Sequence, residues 1–178
     1  MVKFLFISFL IICSSTSFSQ DSLDTVVKEN RNTAIDSILM TSLSEYGIDK
    51  QLIVCYPMYT KIIEWMGIPY SYGGNSKKSI DCSNLVIQLT NDIYYNSISG
   101  NAATLYEASH KLKRQDLSEG DLVFFKINKS YVSHVGVYLQ NDLFVHATRG
   151  KGVLISSLNE SYYKKHFFGS GRFMDYDH

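Results

Sequence analysis

Apolar positions follow two rhythms along the chain, and the change between them divides it. From residue 57 to residue 94 they recur at three- and four-residue steps, the spacing of one helix face. Pro57 opens one such segment, which carries Ile62, Ile63, Trp65 and Met66 and stops at Gly67. A second runs from Asp81 to Tyr94, with Leu85, Val86, Leu89 and Ile93 forming a stripe that begins at Cys82. Between them Pro69–Gly74 reads as a loop, and a short third helix is expected within 102–112. Beyond residue 120 the pattern shifts to short apolar blocks and alternation. These predict strands at 122–127, 133–139, 143–148, 153–156 and 166–174. Helices followed by strands predict an α+β fold, with helices packed on a small antiparallel sheet.

The first residues follow neither rhythm. Lys3 precedes a ten-residue, mainly apolar run, Phe4 to Cys13, and Ser17-Phe18-Ser19 then offers small residues at cleavage spacing. This predicts a signal peptide over residues 1–19 and an exported, soluble mature chain. Ten residues cannot cross a bilayer, which needs roughly 20, and no later segment could do so. Ile12 is bulkier than lipoprotein processing favours before a lipidated cysteine, which argues against attachment at Cys13. Residues 20–56 read as an N-terminal helical extension. Ile35, Ile38, Leu39 and Leu43 fall at helical spacing, and Gly47 is a plausible stop. Residues 57–178 form the expected main domain.

Composition narrows the function classes. Hydrophobic residues make up 45% and charged residues 19%, a globular balance. Lys+Arg and Asp+Glu are equal at 17 each, so the excess positive charge of a nucleic-acid binder is missing. A monomer without cofactor is expected.

Two cysteines remain after the leader, Cys55 and Cys82. In an oxidising compartment they could form a disulfide. Alternatively Cys82 is a nucleophile. Asp81 is a good helix N-cap, which sets Cys82 at the first helical position. There the helix dipole and free backbone N–H groups favour thiolate and can stabilise an oxyanion, the two needs of cysteine acyl transfer. A buried cysteine on a core helix is the plainer alternative. Nothing near Cys55 would activate it.

A thiol nucleophile needs a base. His134 begins an alternating strand on which His134, Gly136 and Tyr138 share a face. Gln140-Asn141-Asp142 signals a turn, and the return strand carries His146. A three-residue loop sets Leu139 opposite Leu143 and Gly136 opposite His146. His134 and His146 are then diagonal neighbours on one face, roughly 7–8 Å apart at Cα. A two-residue loop would send them to opposite faces. One imidazole can take the thiol proton while the other orients it; otherwise they are two surface histidines. Two histidines without a close carboxylate make a poor zinc site, so no metal is expected.

Together these residues resemble the NlpC family, papain-like cysteine peptidases of bacterial cell walls. The resemblance is carried by Gly67-Ile68-Pro69-Tyr70-Ser71-Tyr72-Gly73-Gly74, Asp81-Cys82-Ser83, Gly120-Asp121-Leu122-Val123-Phe124-Phe125, Ser133-His134-Val135-Gly136-Val137-Tyr138 and His146-Ala147, in the family's order. It implies a papain-like fold with Cys82 as nucleophile, His134 as general base and His146 as the residue that orients it. Tyr70 is implied beside the nucleophile, helping to hold the oxyanion, and Asp81 and Ser83 as holders of the substrate's amino end. Asn84 stands where the family usually has glycine.

The implied reaction is amide hydrolysis in peptidoglycan stem peptides, at the bond between D-γ-glutamyl and a diamino acid. Lys77, Lys78, Arg149 and Lys151 lie near the motifs, where they could meet substrate carboxylates. Alternatives are a papain-like amidase, another acyl-transfer enzyme or toxin, or a non-catalytic wall-binding protein.

Overall fold

The computed structural model describes residues 41–94 and 98–173. The expected leader and the first part of the extension, residues 20–40, lie outside the described residues. Residues 41–45 are helical, and the chain stops as Gly47 predicts. Gly47 takes φ 79°, a left-handed conformation that glycine adopts without steric cost. The Ile48 N–H then reaches back to the Leu43 carbonyl at 3.2 Å, and the Gly47 N–H to Ser44 at 3.0 Å. This closes the helix end as a Schellman turn, with Leu43 and Ile48 both buried beneath it.

Two side chains from the loops of the sheet hold the segment that follows. Gln140 Oε1 accepts the Asp49 N–H at 2.8 Å, and its Nε2 donates to the Asp49 carbonyl at 3.1 Å. The Glu119 carboxylate accepts the N–H groups of Val54 and Cys55 and the Tyr59 hydroxyl. Helix α1, Tyr56–Trp65, begins here with Pro57 in its first turn, where a missing N–H costs nothing. Its buried residues, Met58, Tyr59, Ile62 and Trp65, form one stripe.

A two-stranded ribbon follows, β1 (Asn75–Ser76) and β2 (Ser79–Ile80), and leads into helix α2, Cys82–Tyr94. Helix α3, Ala102–Ala108, is capped by Asn101, whose side chain accepts the N–H groups of Ala103 and Thr104. It ends four residues before the sequence pattern suggests. His110–Leu112 instead form β3 and pair with a strand near the C-terminus.

The remaining strands are β4 (Leu122–Phe125), β5 (His134–Tyr138), β6 (Leu143–Thr148), β7 (Gly152–Ser157) and β8 (Phe167–Arg172). A six-residue helix α4, Ser161–His166, occupies the start of the last expected strand. The sheet order is β3-β8-β4-β5-β6-β7, and every neighbouring pair is antiparallel.

Both sheet faces are covered, which explains the unbroken apolar run of β4. On one side Leu122, Phe124, Val135 and Val137 join Ile62, Leu85 and Leu89 of the helices in the main core. On the other, Val123, Phe125 and Phe144 pack with Leu158 and Tyr163. Each such fully buried side chain contributes about 1.5–3 kcal/mol.

Two further ties matter. The Gly67 N–H bonds the Val153 carbonyl at 2.9 Å, and the Val153 N–H bonds the Ile68 carbonyl at 3.0 Å. Gly152 passes this seam at φ 71°, with the Ile68 carbonyl where a Cβ would stand. Arg172 grips the buried Asp121 carboxylate through Nε at 2.6 Å and a terminal nitrogen at 2.7 Å, joining β8 to the start of β4. Among the described residues no helix is long and apolar enough to cross a membrane.

Candidate active site

Asp81 builds the start of α2. Its backbone carbonyl accepts the Leu85 N–H at 3.0 Å, the first helical bond. Its Oδ1 accepts the Asn84 N–H at 2.8 Å and the Ser83 hydroxyl at 3.1 Å. Its Oδ2 accepts the Gly73 N–H at 2.9 Å. One carboxylate therefore caps the helix and anchors the loop that carries Tyr70. Asn84 reinforces this: its Nδ2 donates to the Gly74 carbonyl at 2.9 Å.

Cys82 is the first residue of α2, as the capping pattern predicts, and is 7% exposed. Burial pushes its thiol up to about 11. The backbone N–H groups of Val135, Ser83 and Cys82 itself pull the other way, and the Asp81 charge adds to the rise. The expected acidic thiol is thus overturned, because lost hydration outweighs the donors at the helix start. The contact with Val135 sets the sulfur beside the residue that follows His134. Among the described residues no hydrogen bond joins the thiol to His134.

The hairpin adopts the register that its turn sequence predicts. Val137 pairs with Val145 and Tyr138 with Phe144. Asn141 and Asp142 take φ 50° and 60°, left-handed values that these residue types tolerate, and the Leu143 N–H returns to the Gln140 carbonyl at 2.7 Å. One step beyond the Val137–Val145 pair Gly136 stands opposite His146. A Cβ on Gly136 would meet the Phe144 ring at 2.7 Å, the Val145 carbonyl at 2.8 Å and His146 Cβ at 3.2 Å. The bare glycine lets the rings converge, and His134 Nε2 lies 2.9 Å from His146 Nδ1.

Both rings are shielded. His146 is fully buried, stacked on Phe144 at 4.7 Å between centroids, and His134 is 7% exposed beside Phe125. Burial lowers His134 to about 4. It also lowers His146 well below the ordinary range, helped by the charges of His134 and Lys151. Both are neutral at pH 7. His134 Nδ1 has no hydrogen-bond partner among the described residues. No side-chain nitrogen or oxygen there is both fully buried and unbonded, so this nitrogen opens to solvent.

Beyond the pair lie two hydroxyls that sequence reasoning missed. Ser156 Oγ is 3.1 Å and the Tyr163 hydroxyl 3.2 Å from His146 Nε2. Near the thiol, Tyr70 is raised by burial and by the Cys82 charge, with Arg149 opposing through a hydrogen bond. The Arg149 guanidinium carbon lies 6.0 Å from the Tyr70 ring centre.

Residues 67–172, more than half of the chain, match the NlpC/P60 family. The chain belongs to that family.

Two relatives and one solved structure resemble it over most of its length. A protein named probable endopeptidase NlpC homolog, from Haemophilus influenzae, is 33% identical over 85% of this chain and 78% of its own. Murein DD-endopeptidase MepS/murein LD-carboxypeptidase of Escherichia coli K12 is 32% identical over 86% and 70%. The crystal structure of a protein similar to lipoprotein, of the NLP/P60 family, from Staphylococcus aureus, superposes with a TM-score of 0.60 at 27% identity. It matches 72% of this chain, which spans 43% of that protein.

In this NlpC/P60 domain Cys82, Tyr70, Asp81 and Ser83 cluster at the start of α2, and His134 and His146 meet on the sheet. Asp81 and Ser83 are both buried and bonded to each other. Lys77 is diverted from the cluster: it bonds the Glu64 carbonyl at 3.0 Å and lies 3.8 Å over the Trp65 ring. Cys55 and Cys82 are both free thiols, so the disulfide alternative is not realised. The alternation of β7 was a usable signal for Ser156. Leu154 pairs with His146, which makes Ser156 its diagonal neighbour on the same face.

Proposed function

We propose that this protein is an exported cysteine endopeptidase that hydrolyses amide bonds in the stem peptides of peptidoglycan. The observation that carries the reading is the His134–His146 pair on a strand whose next backbone N–H meets the Cys82 thiol. The Escherichia relative, named a murein endopeptidase, supports the substrate class, and the Haemophilus relative, named a probable endopeptidase, supports the reaction type.

In this reading Cys82 and His134 begin neutral. Cys82 Sγ attacks the scissile carbonyl carbon as its proton passes to His134 Nδ1. The imidazolium and the negative charge of the adduct arise together, each stabilising the other in a site of low dielectric. The carbonyl oxygen gains the negative charge and meets N–H groups at the start of α2 and the Tyr70 hydroxyl, which burial keeps protonated by raising its pKa. His134 then gives its proton to the departing amine nitrogen, and the C–N bond breaks to leave a thioester on Cys82. A water loses a proton to His134 as its oxygen attacks the thioester. The second tetrahedral intermediate collapses, the sulfur takes the proton back, and a carboxylic acid product leaves.

For the scissile bond we favour D-γ-glutamyl–diamino acid, as the family resemblance implies. The DD-endopeptidase activity in the name of the Escherichia relative offers a DD-bond as the alternative. Arg149, exposed beside Tyr70, is suited to a free carboxylate of the stem peptide. Export follows from the leader over residues 1–19 and would deliver the enzyme to the cell envelope. The test is Cys82→Ala against the unaltered chain on purified muropeptides, with products weighed by mass spectrometry. Cleavage by the unaltered chain alone is expected, and the product masses name the bond. Cleavage by Cys82→Ala overturns the assignment.

A further inference from the structure

We infer that Ser156 and Tyr163 are positioning residues that hold the proton of His146 on Nε2, and so decide which nitrogen of His134 is left to accept one. This rests on the reading above, in which Cys82, His134 and His146 act in that order.

The three nitrogens and two hydroxyls form one continuous line. His134 Nε2 faces His146 Nδ1 at 2.9 Å, and His146 Nε2 faces Ser156 Oγ at 3.1 Å and the Tyr163 hydroxyl at 3.2 Å. Every one of these residues is at least nine-tenths buried, so water does not compete for the bonds. Two neutral imidazoles share two N–H protons, and facing nitrogens cannot both carry a proton or both lack one. Two arrangements satisfy this. In the first, His134 Nε2–H donates to His146 Nδ1, and His146 Nε2–H donates to a hydroxyl oxygen. In the second every proton moves over: a hydroxyl donates to His146 Nε2, His146 Nδ1–H donates to His134 Nε2, and His134 carries its proton on Nδ1.

Only the first leaves a lone pair on His134 Nδ1, the nitrogen that opens to solvent. It also survives the reaction. When Nδ1 takes the thiol proton, Nε2–H still donates to His146, and no proton elsewhere has to move. In the second arrangement Nδ1 is already protonated and cannot act as a base. A hydroxyl oxygen offers two lone pairs to an N–H, and two hydroxyls at one nitrogen make the accepting role redundant. Ser156 sits on β7 and Tyr163 on α4, so the two approach His146 from separate elements. Ser156 also acts on Tyr163 directly, drawing the phenol's acidity back against the rise that burial causes.

The test is histidine-15N NMR of the full chain at pH 7, in which protonated and bare ring nitrogens differ widely in shift. Bare Nδ1 and protonated Nε2 on both His134 and His146 are expected. A protonated Nδ1 on His146 overturns the proposal, and this measurement needs no variant to fold. The second arm compares Ser156→Ala, Tyr163→Phe, the double variant and Ser156→Thr. Each single variant keeps one acceptor and should keep most of kcat. The double variant should mix the two tautomers and lose about tenfold to a hundredfold in kcat at unchanged KM, while Ser156→Thr retains wild-type shifts. A folded double variant with wild-type shifts and kcat overturns the proposal. Failure of the peptidase reading is separate: it shows as cleavage by Cys82→Ala, with the NMR result unaffected.

Discussion

Asp81 Oδ2 holds the Gly73 N–H at 2.9 Å while the other oxygen of the same carboxylate caps α2. A single side chain thereby fixes the distance between the Tyr70 loop and Cys82. In Asp81→Asn one of the two positions receives an amide NH2, which faces an N–H it cannot accept. A loss of about 1–3 kcal/mol is expected, measurable as a lower urea midpoint, with kcat/KM falling as Tyr70 shifts. Wild-type stability in this variant would show that the carboxylate is not the tie.

Gly136→Ala should act on the histidine pair without touching either ring. The added methyl meets Phe144, the Val145 carbonyl and His146 Cβ, all inside normal contact distance. Overpacking of this kind costs about 1–3 kcal/mol, and relief requires His146 to move from His134. The expected outcome is a folded protein of lower melting temperature with weakened peptide cleavage. A variant as active and as stable as the original would contradict this packing.

The buried histidines make stability depend on pH. His134 is lowered to about 4 by burial, and His146 moves the same way. A ring that binds a proton less readily when folded contributes stability that is complete above the unfolded value, about 6.5. That contribution is lost as the pH falls through the folded value. Between pH 7 and 4 the loss from His134 alone should be on the order of 3 kcal/mol. Urea titrations across that range check it, and His134→Gln should flatten the curve. A slope unchanged by that substitution would refute the assignment.

Alkylation reports the thiol. With Cys82 pushed up to about 11, iodoacetamide should react at pH 7 at least about a hundredfold more slowly than with free cysteine. The rate should still be climbing at pH 9. A flat rate from pH 5 upward would instead reveal a thiolate already paired with imidazolium.

Legibility in the sequence followed the range of the interactions. The hairpin register could be read because Gln140-Asn141-Asp142 lies within the segment it directs, and the position of Cys82 because its cap, Asp81, is the preceding residue. Strand β3 was missed because His110–Leu112 gain their strand partner, β8, about sixty residues later. Helix α4 is six residues long and has no side-chain cap, so it carries no periodic signal. The acidity of Cys82 was misjudged because the helix start is a local feature whereas burial depends on everything packed above it. Ser156 was within reach of the pattern through the alternation of β7, whereas Tyr163 owes its place beside His146 to a position on α4 that the hydrophobic pattern does not contain.

The seam at Gly152 has a mechanical consequence. Where Gly67, Ile68 and Val153 are stitched main chain to main chain, the gap between the Tyr70 segment and the edge strand is set by peptide geometry rather than by compressible side chains. Such a joint does not slide. The segment leading to Tyr70 and the edge strand therefore move as one piece, because neither can shift without breaking backbone hydrogen bonds.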